Sequence, residues 1–117
     1  MDKTVADFLQ GKSAHTIELF DHFISQYDLL APVAVHATKS MIVISGPHRG
    51  AYITQLGKTF IDVVFPFKQA YTDNLCFTSI KRVPGTNDYN HHFRMCSKDD
   101  INEEVRHFML LALRTSS

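Results

Sequence analysis

Apolar residues recur at helical spacing at both ends of the chain and at strand spacing between them. Thr4 followed by Asp7 has the form of an N-cap, with Val5, Phe8 and Leu9 as the apolar side of a short helix that Gly11 ends. Ser13 then caps a longer helix to Leu30, where Ile17, Phe20, Phe23, Ile24, Tyr27 and Leu30 form one stripe and Pro32 is the stop. From Val33 to Ser97 the pattern is that of strands: 41–45, 51–56, 59–65, 75–83 and 90–96. Turn signals separate them, among them Gly46-Pro47-His48-Arg49-Gly50, Gly57-Lys58 and Pro84-Gly85-Thr86-Asn87-Asp88. Ser97-Lys98-Asp99-Asp100 resembles a capping box with Asp in place of Glu, and Ile101, Val105, Phe108, Met109 and Ala112 form the buried face of a final helix.

Short connections between successive strands imply an antiparallel meander. The expectation is an α+β fold: two N-terminal helices, a five-stranded antiparallel meander sheet and a C-terminal helix, with the helices packed on one sheet face. Residues 1–117 form a single domain with no repeat, linker or low-complexity tract.

Composition adds limits. Apolar residues make up 44% and charged residues 21%, which fits a folded domain and excludes a disordered one. No apolar run reaches the roughly 18 residues that span a bilayer. Met1 is followed by no basic-then-apolar leader, so a cytoplasmic protein with no membrane partner is expected. A net charge of zero argues against a strong nucleic-acid binder, which needs surplus Lys and Arg. That zero hides an asymmetry: residues 1–35 sum to −3, residues 36–98 to +5 and residues 99–117 to −2. Acidic helices therefore flank a basic sheet.

The last hairpin carries the candidate chemistry. A turn centred near Thr86 sets Cys76 opposite Cys96, Thr78 opposite Arg94, Ile80 opposite His92 and Arg82 opposite Asn90. Strand alternation then puts Phe93 and Met95 in the core and His92 and Arg94 on the outer face. In the preceding strand it buries Ile61, Val63 and Phe65 and turns Phe60, Asp62 and Val64 outward. The resulting ligand patch is Arg94, His92, Arg82, Asp62 and Thr78, with Lys39 of the His36–Ser40 loop at its rim. Arg94 offers a planar fork to a phosphate or carboxylate, although an Asp62–Arg94 pair on a solvated sheet face is the plainer alternative.

Other chemistry finds less support. His91 and His92 point to opposite faces, and His92 and Cys96 lie about 13 Å apart along a strand, too far for one metal ion. His15, Glu18 and His22 share a helix line but span about 10 Å, so they form a solvated face. No metal site or cofactor is expected. Two cysteines with no CxxC make neither a disulfide scaffold nor an activated nucleophile, and both are read as small, partly buried side chains. No glycine-rich loop opens a helix and no nucleophile elbow is present, so no catalytic residue is assigned.

Thr4-Val5, Phe8-Leu9 and Gly11-Lys12-Ser13, then Thr38-Lys39-Ser40 entering a strand, then Ser97-Lys98-Asp99-Asp100, resemble a family of small bacterial domains of unknown function. Some of its members are labelled predicted transport proteins. The resemblance covers most of the chain and implies a curved antiparallel sheet with no established catalytic residues. The helix–meander–helix order is also distantly similar to small iron-chaperone-like domains, which implies carboxylates clustered on the sheet, where Asp62 stands alone.

The function expected from these features is a binding or interaction module that holds a small anionic ligand or an acidic protein segment on the basic sheet face. Two alternatives differ in class. A small enzyme would use His92 as general base and Arg94 to stabilise negative charge, in a concave pocket joining His92 to Asp62 or Tyr52. A homodimer would use apolar surface from Leu110, Leu111 and Leu113.

Overall fold

Hydrogen bonds at the helix starts match the capping signals. The computed structural model describes residues 3–46 and 49–114, so the Pro47-His48 part of one expected turn lies outside the described residues. Thr4 Oγ1 accepts the Asp7 N–H at 3.1 Å and Asp7 Oδ2 accepts the Thr4 N–H at 2.9 Å, which starts α1, Val5–Leu9. Ser13 Oγ accepts the Thr16 N–H at 3.1 Å and starts α2, Ala14–Leu30. Gly11 between them has φ +76°, a conformation that suits a residue without Cβ.

Among the described residues the sheet has six antiparallel strands rather than five: β1 Ala34–Ala37, β2 Ile42–Ser45, β3 Arg49–Leu56, β4 Ile61–Phe67, β5 Ser79–Arg82 and β6 Tyr89–Met95. The additional strand is β1, formed by part of the segment expected as a strand-entry loop. Thr38 makes the turn into β2, with its N–H donating to Met41 O at 2.8 Å and its Oγ1 accepting the Met41 N–H at 3.2 Å.

The strand order is β1-β2-β3-β4-β6-β5, so the meander fails at its last step. β6, not β5, lies beside β4. The reason lies in the two sequences. β6 buries His91, Phe93 and Met95, whereas β5 is four residues long and exposes Lys81 and Arg82. The apolar strand takes the interior and the short charged one closes the edge, where added pairing must be discouraged.

The Ser97–Asp100 box also starts something shorter than expected. Asp100 Oδ2 accepts the N–H groups of Cys96 and Ser97 at 2.7 and 3.0 Å, but the element it opens is a 3-10 turn, Lys98–Asp100. The last helix, α3, Glu103–Arg114, has its own cap: Asn102 Oδ1 accepts the Val105 N–H at 2.9 Å.

Both long helices cover one sheet face. Leu19, Phe20, Phe23 and Tyr27 of α2 and Val105, Phe108, Met109, Ala112 and Leu113 of α3 share a core with Ile42, Ile44, Ile53, Ile61, Val63, Phe65, Phe93 and Met95. Arg106 Nε donates to Gln26 Oε1 at 3.1 Å between the helices. The start of α2 is tied to the β3–β4 turn, where Ser13 Oγ donates to Lys58 O at 2.7 Å and Thr16 Oγ1 donates to Gly57 O.

Candidate functional site

Cross-strand register aligns one row of side chains over the face opposite the helices. His36, Val43, Tyr52, Val64, His92 and Ser79 are successive partners across all six strands. Val43 and Val64 are only 8% and 5% exposed, although they lie outside the helix-covered core. The face is therefore concave. A β-bulge places Thr54 out of register between Ile53 and Gln55, and such an insertion bends and twists its strand.

The concavity holds a groove of about 490 Å3 lined by Met41, Tyr52, Thr54, Val64, Pro66, Val83, Asp88, Asn90 and His92. Its floor is apolar, and its polar groups stand on both sides of that floor, Tyr52 and Thr54 on β3 and Asn90 and His92 on β6, with Asp88 just before β6. That mixture, an apolar surface with a few placed polar groups, is the usual form of a small-molecule site.

His92 is the sequence-predicted residue that the groove contains. It is half-buried, and burial first, then the Lys81 ammonium, hold its imidazole below the usual 6.5, with Asp62 pulling weakly the other way. Neutral imidazole at pH 7 offers one donor and one acceptor.

Arg94 and Asp62 stand on the same face but are committed to each other. Arg94 Nε and Nη2 donate to Asp62 Oδ1 and Oδ2 at 2.8 and 3.1 Å, a bidentate pair, and the guanidinium lies 3.9 Å from the centroid of Phe60. The anion-binding fork expected of Arg94 is thus filled from within the chain. Neither residue is beneath the helices, and neither lines the groove.

Arg82 and Thr78 do not join the patch. The last hairpin pairs Ser79 with His92, Ile80 with His91, Lys81 with Asn90 and Arg82 with Tyr89, one residue off the expected register. Arg82 therefore shares the alternation of Tyr89 and donates from Nε to Thr86 O at 3.3 Å. Thr78 turns back on β6, donating to His92 O from both its N–H (2.7 Å) and its hydroxyl (3.1 Å). Lys39 is exposed at the tip of the β1–β2 hairpin and does not reach the groove lining.

The residues brought to that face instead are Lys81 and Asn90, with Tyr52 and Asp88. The sequence carried a signal for this register. Val83-Pro84-Gly85-Thr86 is a turn closed by Thr86 N–H on Val83 O at 3.2 Å, with Gly85 at φ +77°. Pro then Gly at the two central positions marks a type II turn centred between them, and the strands close around it with Val83 N–H on Asp88 O at 2.9 Å, so the hairpin as a whole centres half a residue before Thr86.

His91 faces the other way, into the core, fully buried. Its Nε2 accepts the Tyr71 N–H at 3.1 Å, so Nδ1 carries the proton and donates to Tyr89 O at 2.9 Å. Phe67 and Phe77 pack edge-on, each with its centroid 4.9 Å from the imidazole.

Both cysteines are free, and the register does not oppose them. Burial, and then Glu104 beside it, push the Cys76 thiol up to about 12, which leaves it protonated and inert. Cys96 is exposed rather than partly buried, and its carbonyl meets His15 Nε2 at 2.9 Å. Among the described residues no group of three or more His, Cys, Asp or Glu side chains is placed to hold a metal ion, and no helix is long and apolar enough to cross a membrane. Leu113 is buried, Leu110 and Leu111 are half-buried, and the large apolar side chains most exposed among the described residues are Leu29 and Leu75, neither of them on α3. No family model, curated protein or solved structure matches the chain, so the residues themselves carry the functional argument.

Proposed function

We propose that this chain is a small cytoplasmic binding module whose ligand lies in the outer-face groove between Tyr52 and His92. One observation carries the reading: the sheet face without helices holds a groove with an apolar floor at Val64 and Pro66 of β4, flanked by polar side chains of β3 and β6. A solvated sheet face has no need of Val64 at 5% exposure or of a bulge that curves β3. The volume suits a metabolite-sized molecule with a flat apolar body and a polar end.

A second reading, acid–base chemistry by His92, is favoured by the groove joining His92 to Tyr52 and by an imidazole held in its neutral, basic form. The pairing of Arg94 with Asp62 removes the charge stabiliser that such an enzyme was expected to use. Binding is the stronger reading.

The test is an amide and methyl NMR screen with small aromatic and alicyclic compounds. Resonances of Met41, Tyr52, Val64, Asn90 and His92 are expected to shift together. Hits whose shifts cluster elsewhere would sink the proposal.

A further inference from the structure

Among the described residues, two cations near the groove are already neutralised. Arg94 is paired with Asp62, and Lys68 Nζ is 2.7 Å from Asp88 Oδ1, so the carboxylate in the groove lining is also taken. Lys81 is different. It stands beside the groove lining rather than in it: it pairs in register with Asn90, which lines the groove, and Ser79, two residues before it on the same face, pairs with His92. Its charge is felt at His92, yet among the described residues no carboxylate makes an ion pair with it.

We infer that Lys81 and His92 form an anion subsite at the β5 side of the groove, which takes the carboxylate of a small apolar acid. This rests on the groove being the ligand site. The acid's body lies over Val64, Pro66 and Val83, while its charged end meets the ammonium of Lys81 and a ring N–H of His92.

A consequence concerns protons. The charged groups that act on His92 are Lys81 from β5 and Asp62 from β4, the latter already held by Arg94; the other titratable groups around it are His91 beside it on β6, Tyr52 from β3 and Asp88 of the lining. A carboxylate beside Lys81 offsets the ammonium that disfavours the imidazolium. Binding therefore raises the proton affinity of His92, and by linkage the acid binds more tightly as pH falls from 8 towards 6.

The experiment uses a matched pair of probes, 2-naphthoate and the uncharged 2-naphthamide, titrated by NMR against the full chain and Lys81→Met. The native chain is expected to favour the acid by about fivefold or more, since a charge-assisted contact exceeds a neutral one. Lys81→Met erases that preference and leaves naphthamide affinity unchanged, which also shows that the variant is folded. Saturation with naphthoate moves the His92 titration midpoint upward. Equal affinity for both probes, or a preference that survives Lys81→Met, overturns the subsite while the groove stands. Failure of both probes to shift groove resonances overturns the two together.

Discussion

His91 Nε2 accepts the Tyr71 backbone N–H at 3.1 Å, and this bond fastens the long β4–β5 connection to the core. The connection is needed because β5 sits beyond β6, so the chain from Phe67 to Ser79 must pass the end of β6. Tyr71, Phe67 and Phe77 surround the imidazole and bring the segment's aromatic side chains onto Phe108. A proton on Nε2 would remove the acceptor and place a charge in this apolar cage.

Burial holds His91 below 6.5, and His92 moves in the same direction. Their folded-state values are depressed, so the unfolded chain binds the protons first. The stability they contribute is full above pH 6.5 and is lost as pH falls through that value towards their folded-state values. Urea unfolding at steps from pH 7.5 to 5 should show this loss. His91→Gln, which can accept from Tyr71 and donate to Tyr89, is expected to make the decline shallower. An unchanged slope in the variant would mean that His91 is not its source.

Arg94→Ala should leave the groove working. The guanidinium is spent on Asp62 and Phe60, and the side chain is exposed, so its loss removes a solvent-screened surface pair and is expected to leave stability nearly unchanged. Affinity for 2-naphthoate is expected to stay within about twofold, because an exposed charge one row away is screened by solvent and salt. Titration calorimetry showing a tenfold loss would return Arg94 to the site.

How far the sequence carried this picture depends on which residues are asked. The alternation in β6 was legible because Phe93 and Met95 are apolar and Arg94 is charged, and the structure places them on opposite faces. The Asp62–Arg94 pair followed from the same parity. Arg82 and Thr78 were misplaced because hairpin register depends on a turn centre, and half a residue of error there reverses every side chain of β5. Lys81 was missed for that reason alone. β1 was illegible for another: Ala34–Ala37 is a four-residue edge strand with only half-buried alternate positions, too short for its pattern to stand out. The inversion of β5 and β6 is tertiary, set by which strand offers more apolar surface to β4.

Gly57→Ala is expected to destabilise the fold slightly. A Cβ at that position would lie 2.5 Å from Phe60 Cζ, so the ring must move from under the Arg94 guanidinium. The turn has little freedom to yield, since Gly57 N–H donates to Phe60 O at 2.8 Å and its carbonyl receives the Thr16 hydroxyl. The atoms in the way are the tip of a half-buried ring on the outer face, which can swing aside, so the cost is expected to stay below about 1 kcal/mol, read as a slightly lower urea midpoint with unchanged m-value. Gly57→Ser should do the same, whereas Gly57→Ala combined with Phe60→Leu should recover most of the loss.

Tyr27→Phe should be neutral or stabilising. Tyr27 is fully buried, its ring packs edge-on against Phe23 at 5.3 Å, and its hydroxyl has no hydrogen-bond partner among the described residues. The ring contributes packing while the hydroxyl contributes a desolvation penalty, so deleting the oxygen is expected to gain up to about 1 kcal/mol. The same hydroxyl makes the fold sensitive to alkali. Burial raises its proton affinity above the usual 10.0, so its share of stability is complete below pH 10 and is lost as the unfolded phenol ionises above it. Thermal unfolding at pH 8 and pH 10.5 would therefore show a gap between the two proteins that widens with pH. A Tyr27→Phe chain that is markedly less stable at pH 8 would show that the hydroxyl has a partner in solution.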